Sequence, residues 1–319
     1  MDLIEEVLER NEFIEQPPVL LDIGASKAIN HKWKKIARYS ICIAFDADDR
    51  EFAYITNKNS SYKQLFVYNS IVSEKACEEL NFYLTKSPYC SSLLEPDKSS
   101  LINWAFSDLF EVKEEIKIQT TDLKTVLQNL KIQKIDWFKT DSQGTDLRLF
   151  KSLTQQLINQ VLIAEFEPGI IDAYQGEDKL YDLMKYMQEQ PFWMSEIIIQ
   201  GSQRINQSVL TKYFNEFEIK CINLFIKKSP GWGEVTYFNT LKHNDYSQRD
   251  YLLTWVFTVI EKQYGFSLEL LDRAIQKFDD PIFINLRNFT LNKIKMSYYK
   301  APLFFLKRIL AKFETMMNG

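Results

Sequence analysis

The stretch IDWFKTDSQGTDLRLFKSL, residues 135–153, shows the pattern that decides the fold. Its first part is apolar and ends in Asp141, as expected of a buried strand whose end reaches solvent. A Ser-Gln-Gly turn follows and ends at Gly144, a residue type that accepts backbone conformations other residues avoid. A helix is predicted from there to about Leu153. The stretch therefore predicts a strand, a short loop that carries an acid, and a helix.

Three other apolar runs carry an acid at or near their ends. They are residues 19–26, which contain Asp22, residues 40–46, which end at Asp46, and residues 160–167, which contain Glu165. Short apolar runs that alternate with helical segments predict an α/β fold with a parallel sheet covered by helices on both faces. Because parallel strands end at one edge of a sheet, we expect these three acids and Asp141 to converge there.

The remaining segments complete the predicted organisation. Strands are expected at residues 64–72, 116–120, 192–199 and 217–227, and helices at residues 1–15, 27–38, 50–60 and 177–189. Residues 73–100 are polar and rich in serine, which predicts irregular structure, and residues 249–319 are helical and aromatic. We place a boundary near residue 240, between a domain of residues 1–240 and a helical extension of residues 241–319.

Composition excludes several classes of function. The 319 residues hold 39 Lys and Arg against 43 Asp and Glu, and a net charge of −4 disfavours a nucleic-acid partner. Two histidines and four cysteines show no metal-site spacing, which favours reduced thiols in a cytoplasmic protein. No apolar run reaches the roughly 18 residues of a membrane span. The acidic, amphipathic N-terminus does not resemble a signal peptide.

The loop after the first predicted strand indicates a nucleoside ligand. Gly24 would let the backbone turn tightly and approach a ligand. Asp46 follows Asp22 by 24 residues, the spacing at which an acid accepts hydrogen bonds from ribose hydroxyls. The loop lacks the GxGxxG pattern that a dinucleotide pyrophosphate requires. These features favour a cofactor with a ribose and no pyrophosphate, such as S-adenosylmethionine.

Five sequence blocks, taken in their order along the chain, resemble the motifs of one known protein family. They are LLDIGAS at residues 20–26, AFDAD at 44–48, YNSIVSE at 68–74, the opening stretch at 135–153 and VLIAEFEP at 161–168. This order resembles the FkbM family of S-adenosylmethionine-dependent methyltransferases. The opening stretch matches best, because it keeps Lys139, Asp141, Gln143, Gly144 and a carboxylate at Asp146. The resemblance covers roughly residues 15–230 and implies a Rossmann-like class I methyltransferase sheet of about seven strands with a C-terminal helical extension.

The resemblance also implies roles for individual residues. By position, the residues at the methionine end of the cofactor would be Asp22, Gly24, Ala25 and Ser26. Asp46 would bind the ribose, and Asn69 and Ser70 would lie near the adenine. Relatives generally methylate hydroxyl groups, often of sugars or of polyketide and peptide natural products. The implied function is therefore O-methyl transfer to a sugar, glycan or related polyhydroxylated metabolite.

Methyl transfer to an alcohol needs a group that removes the hydroxyl proton, either a base or a metal ion. Asp141 and Glu165 are the candidate catalytic residues, since they would hold a divalent cation together or one would act as the base. In the alternative, Asp141 caps the following helix and Glu165 pairs with Lys139. His31, just after the first loop, is a second candidate base.

Two rim segments are candidates for substrate contact. The polar insertion of residues 73–100, with Ser91 and Ser92, has the length and composition of a substrate lid. The loop that follows the fifth strand contains Gly169, Tyr174, Gln175 and Gly176.

The C-terminal part of the chain has a distinctive charge pattern. Residues 281–313 contain no acid and seven basic residues, which are Arg287, Lys293, Lys295, Lys300, Lys307, Arg308 and Lys312. Such a basic amphipathic segment could lie on an anionic membrane or dock an acidic partner. It could equally pack on the catalytic domain or on a second copy in a homo-oligomer.

Two other functions stay open at this point. A non-catalytic Rossmann-like glycan-binding or assembly subunit would keep the fold without binding the cofactor. An NAD-type oxidoreductase is disfavoured by the missing glycines.

Overall fold

The computed structural model describes residues 2–25, 29–46, 61–242 and 245–300, and positions 302, 305, 308 and 309 beyond them. Contacts divide the chain into two units, residues 11–242 and residues 1–10 with 243–319. The predicted boundary near residue 240 lies close to this junction, and the first ten residues group with the C-terminal helices.

The described part of residues 11–242 contains ten strands in two sheets. The strands are β1 (Val19–Ile23), β2 (Ile41–Phe45), β3 (Gln64–Tyr68), β4 (Ile71–Val72), β5 (Cys77–Thr85), β6 (Val112–Thr121), β7 (Trp137–Thr140), β8 (Ile163–Phe166), β9 (Phe192–Ser202) and β10 (Ser229–Asn239). Seven of them form one sheet in the order β3-β2-β1-β7-β8-β10-β9, in which β10 runs opposite to the other six strands. The predicted α/β fold with a seven-stranded, Rossmann-like sheet is confirmed.

The central strands β1, β2, β7 and β8 are parallel and, as is typical of parallel sheets, buried. All five residues of β1 are buried, including Asp22. On one face of the sheet, Leu21, Ile43 and Phe138 belong to a hydrophobic core cluster. The carboxyl ends of β1, β2, β7 and β8 lie at a common edge, as the registers Asp22 to Lys139 and Lys139 to Glu165 require.

Helices connect these strands. Those described in residues 11–242 are α2 (Asn11–Glu15), α3 (Lys98–Leu101), α4 (Leu123–Asn129), α5 (Asp146–Lys151), α6 (Gln155–Gln160), α7 (Leu180–Gln188), α8 (Gln207–Tyr213) and α9 (Glu216–Phe225), numbered after α1 (Leu3–Leu8) of the other unit. The predicted helix of residues 1–15 is broken into α1 and α2, and that of 27–38 is replaced, where described, by 3-10 turns at His31–Lys35 and Ala37–Tyr39. The predicted helix of residues 50–60 lies outside the described residues.

The strand predicted at residues 217–227 is wrong, because this segment forms α9. Asn215 accepts a hydrogen bond from the Glu218 backbone, and the Glu218 side chain accepts one from the Asn215 backbone, so a capping box starts a helix there. The last strand is β10 instead. Its first residues include Pro230 and Gly231, which resemble a linker in sequence, yet the pair Pro230–Gly201 lies within the sheet at an irregular register.

Residues 71–121 contain a second, three-stranded sheet of order β4-β6-β5. Strand β6 contains the strand predicted at residues 116–120, whereas β5 lies in residues 73–100, for which irregular structure was predicted. Strands β5 and β6 pair antiparallel from Cys77–Thr120 to Thr85–Val112. Burial alternates weakly along β5, so the apolar alternation that marks a strand is missing there.

The second unit contains α1 (Leu3–Leu8), α10 (Gln248–Ile260), α11 (Tyr264–Lys277) and α12 (Ile282–Met296). Helix α10 is buried on nearly all sides, and the Trp255 indole donates a hydrogen bond to Thr290 at 3.2 Å. Arg10 forms an ion pair with Asp280 at 2.6 Å, which ties the first residues to the C-terminal helices. Among the helices described, none has the length and apolarity needed to span a bilayer.

Helix α12 forms the first part of the basic C-terminal segment. Its residues Ile282, Phe283 and Leu286 are buried within the unit, which agrees with a packed helix. Tyr298 and Tyr299, just beyond it, are 70% and 85% exposed.

Candidate functional site

A first cavity opens at the carboxyl ends of β1, β2 and β7. Gly24, Asp46, Ser70 and Asp141 line it, together with an apolar wall that includes Ile71, Val72 and Phe82. Gly24 has φ +80°, and a side chain on it would overlap the carbonyl oxygen of Asp141. Glycine is therefore required where the β1 loop crosses the end of β7.

The predicted cofactor residues divide into those that line this cavity and those that do not. Asp46 is 7% exposed and lines the cavity, and its backbone N–H donates a hydrogen bond to the Tyr68 carbonyl at 3.2 Å. Ser70 also lines it. Asn69 is exposed and Ala25 is buried, and neither belongs to the described lining. Ser26 lies outside the described residues.

Asp22 has a different environment from Asp46. It is fully buried, and its carboxylate accepts hydrogen bonds from Lys139 Nζ at 2.6 Å and from the Asn30 backbone at 3.1 Å. Burial alone would lower the pKa of Lys139, but the charges of Asp22 and Asp141 outweigh it and raise that pKa. Asp22 and Lys139 therefore form a charged pair that joins β1 to β7.

Asp141 lies between the first cavity and a second, larger one, and lines both. Burial raises the pKa of Asp141 to about 7; Lys139 opposes this shift, and the charge of Asp146 adds to it. Gln143 Nε2 donates to Asp141 Oδ1 at 2.5 Å. The Tyr174 hydroxyl, in turn, lies 3.0 Å from Gln143 Oε1. Asp141 is thus an oriented carboxyl group that titrates near neutral pH.

The loop after Asp141 is closed by its own residues. The Ser142 backbone N–H donates a hydrogen bond to the Asp146 carboxylate at 3.3 Å. Asp146, the carboxylate of the stretch that resembles the family, therefore holds this loop. Gly144 has φ +100°, and a side chain there would come within 2.9 Å of Glu177. Both features constrain the backbone of the loop that follows Asp141.

Glu165 lies inside β8 and is held on the sheet. It accepts hydrogen bonds from the Trp137 indole at 2.9 Å and from Lys32 and Asn30 at 3.5 Å. It is not part of the described lining of either cavity. No group of three or more His, Cys, Asp or Glu in the described residues is placed to hold a metal ion, so the structure gives no support to the divalent cation considered for Asp141 and Glu165. His31 is exposed and lines neither cavity among the described residues.

Glu167 is the carboxylate that sequence reasoning missed. It follows the last residue of β8 directly and lines the second cavity. Burial raises its pKa to about 9, with further contributions from the charges of Asp141, Asp146 and Glu234, while Lys139 lowers it. Its position could have indicated it, because Asp46 and Asp141 also occupy the first position after their strands.

The second cavity has a volume of about 400 Å³. Its wall is largely aromatic and apolar, with Tyr89, Phe106, Leu109, Phe110, Ile171, Tyr174 and Trp232. Its acids are Asp141, Glu167 and Glu177, and Glu177 is paired with Lys179 at 2.6 Å. The described lining contains no lysine, arginine or histidine. This cavity therefore suits a ligand with an apolar face and no negative charge.

Both rim segments predicted for substrate contact lie near these cavities. In the insertion, Ser91 and Ser92 line the first cavity, and the Ser92 hydroxyl donates to the Gln143 carbonyl at 2.7 Å. Of the loop after β8, Gly169 and Tyr174 line the second cavity. The Gln175 backbone N–H instead donates to Glu95 at 2.9 Å, and Gly176 has φ +67° in a turn.

A comparison with protein families identifies the chain independently. The model described as the methyltransferase FkbM domain matches residues 22–193, which is more than half of the 319 residues. None of the curated proteins matches the chain. The match spans Asp22 and Gly24, Asp46, Asp141 and Glu167, and it ends at the start of β9. The chain is a member of the FkbM methyltransferase family.

Proposed function

We propose that this protein is an S-adenosylmethionine-dependent O-methyltransferase that acts on a hydroxyl group of a sugar or related polyhydroxylated metabolite. The observation that carries the proposal is the position of Asp141 on the lining of both cavities. A methyltransferase must bring a methyl donor and an acceptor to one point. A carboxyl group at the junction of two cavities lies where such a transfer would occur.

The residues of the first cavity fit the nucleoside part of the cofactor. Asp46 offers a nearly buried carboxylate to a ribose diol, and Ile71, Val72 and Phe82 form an apolar wall for a flat base. Ser70 adds a hydroxyl group for polar contact. When bound, S-adenosylmethionine supplies an electrophilic methyl group.

Asp141 has the properties of a general base for this reaction. A base works best when its pKa is close to the working pH, and the pKa of Asp141 is raised to about 7. Gln143 holds one carboxylate oxygen, which orients the other toward a proton. Asp141 would take the proton from the acceptor hydroxyl.

The second cavity supports a polyhydroxylated acceptor. Aromatic side chains such as Trp232 and Phe106 can pack against the apolar face of a sugar ring, and the side chains of Gln143, Ser202 and Glu167 can bind its hydroxyl groups. Because its described lining has no cationic side chain, we propose that the acceptor is neutral at the reacting end.

The test separates cofactor binding from transfer. Isothermal calorimetry with S-adenosylhomocysteine should show that the wild type binds and that Asp46→Ala reduces the affinity about tenfold or more. The control is Asp108→Asn, which changes an exposed acid of a surface ion pair and should leave the affinity unchanged. A panel of neutral sugars and glycosides, assayed by S-adenosylhomocysteine release, then identifies an acceptor. Absence of any adenosyl binding, together with retained glycan binding, would favour the non-catalytic alternative instead.

A further inference from the structure

Residues 203–228 join β9 to β10 and carry an unusual surface. Helices α8 and α9 and their flanks expose seven large apolar residues, which are Val209, Tyr213, Phe214, Phe217, Leu224, Phe225 and Ile226. Phe217, Leu224 and Phe225 are 74%, 75% and 82% exposed, and α9 buries no residue at all. A surface helix of a globular protein normally buries its apolar side, whereas the apolar side of α9 is left uncovered by the residues that the structure describes.

The charges around this surface are basic. Residues 207–228 contain four exposed lysines, Lys212, Lys220, Lys227 and Lys228, against Glu216 and Glu218, which gives the segment a net charge of +2 in a chain of net charge −4. Lysines beside exposed Phe and Leu on a short helix are typical of segments that lie in a membrane interface.

The surface adjoins the second cavity. Gly201 and Ser202 at the end of β9, and Gly231 and Trp232 at the start of β10, line that cavity on either side of the segment. Gln203 Nε2 also donates to the Ile222 and Ile226 carbonyls at 3.1 and 3.3 Å, which holds the end of α9 near this rim. A molecule held at the surface would therefore be close to the cavity.

We propose that α8 and α9, with residues 226–228, form an interfacial surface that docks on anionic lipid and places the second cavity next to an amphiphilic acceptor. Lipid phosphates complement the lysines, and the acyl region accommodates the phenylalanines. A second copy of the chain fits less well, because a twofold contact would set each basic surface against itself. The acceptor part rests on the proposed function, whereas the docking part does not.

The experiment measures sedimentation of the full chain with vesicles of phosphatidylcholine, with or without phosphatidylserine. Wild type should bind the anionic vesicles, and binding should fall with added salt. The variant Phe217→Ser/Leu224→Ser/Phe225→Ser should bind about tenfold or more weakly, as should Lys220→Glu/Lys227→Glu/Lys228→Glu. The matched control is Tyr181→Ser, which removes an aromatic side chain that is 69% exposed on α7.

Further arms distinguish the alternatives. Lys293→Glu/Lys295→Glu tests the basic C-terminal segment. The inference is overturned if the α9 serine variant binds vesicles like the wild type, or if only the C-terminal variant loses binding. It is also overturned if ultracentrifugation shows that the wild type is a dimer and the α9 serine variant a monomer, and neither protein binds vesicles. Melting temperatures and S-adenosylhomocysteine affinity should be unchanged in all variants. Vesicle binding without adenosyl binding would refute the proposed function and leave the docking surface intact.

Discussion

Acids within the strands and acids just past them occupy two different environments. Asp22 and Glu165 lie inside β1 and β8, where lysine side chains contact them: Lys139 at 2.6 Å from Asp22 and Lys32 at 3.5 Å from Glu165. Asp141 and Glu167 each follow a strand by one residue, line a cavity and have raised pKa values. The difference shows that two positions along a strand separate a carboxylate held by a lysine inside the sheet from a carboxyl group that lines a cavity and has a raised pKa.

The largest effect is expected from Asp141→Asn. If Asp141 is the base, the neutral amide cannot accept the hydroxyl proton, and kcat should fall about 10²- to 10⁴-fold. In the wild type, kcat should rise tenfold per pH unit below about pH 7 and level off above it, since only the ionised carboxylate accepts a proton. The measurement is the pH profile of methyl transfer to the acceptor that the panel identifies.

Calorimetry with S-adenosylhomocysteine serves as the control for that variant. Its affinity should change little, because Asn keeps the shape of the side chain. A fall in kcat of less than about threefold would show that Asp141 only lines the cavities.

The second prediction concerns the in-strand acids. Lys139→Met leaves the Asp22 carboxylate fully buried without its cation, and removing one partner of a buried pair costs about 3–5 kcal/mol of unfolding free energy. Urea unfolding measures the loss. Lys86→Met is the control, because its pair with Asp108 is half-exposed at 3.9 Å and should contribute less than about 1 kcal/mol. Equal losses in the two variants would contradict the distinction between the environments.

The sequence predicted the edge of the sheet where the acids lie, but it did not predict which acids line a cavity. The acid-tipped apolar runs predicted the parallel sheet and placed Asp46 and Asp141 at one edge, because parallel strands end at the same edge of a sheet whatever their order. They did not separate Glu165 from Glu167, since the exact end of a strand depends on pairing with its neighbours. The second cavity was not predicted, because its wall combines residues from six separate segments of the chain, and contacts between distant segments leave no local periodicity.

The third prediction tests Glu167 through the pH dependence of stability. Its pKa is raised in the folded protein to about 9, so between about pH 4.5 and 9 the unfolded chain releases a proton that the folded chain keeps. The stability of the wild type should therefore fall as pH rises through this window. Glu167→Gln does not titrate, and at pH 8 it should be more stable than the wild type by about 1–3 kcal/mol. Unfolding measured at pH 5 and pH 8 compares the two, and an identical pH slope would mean that Glu167 ionises normally.

The smallest effect is expected from Glu165→Gln. The amide oxygen can still accept the hydrogen bond from the Trp137 indole, whereas the variant loses the attraction to Lys32 at 3.5 Å, the long hydrogen bond from Asn30 at 3.5 Å and the weaker attraction to Lys139. These losses are modest, and we expect a decrease in unfolding free energy of about 1 kcal/mol with methyl-transfer rates within about twofold of the wild type. The measurements are urea unfolding and the assay used for Asp141→Asn. A rate loss as large as that of Asp141→Asn would mean that an acid held inside its strand takes part in the chemistry, and the division between in-strand and past-strand carboxylates would no longer hold.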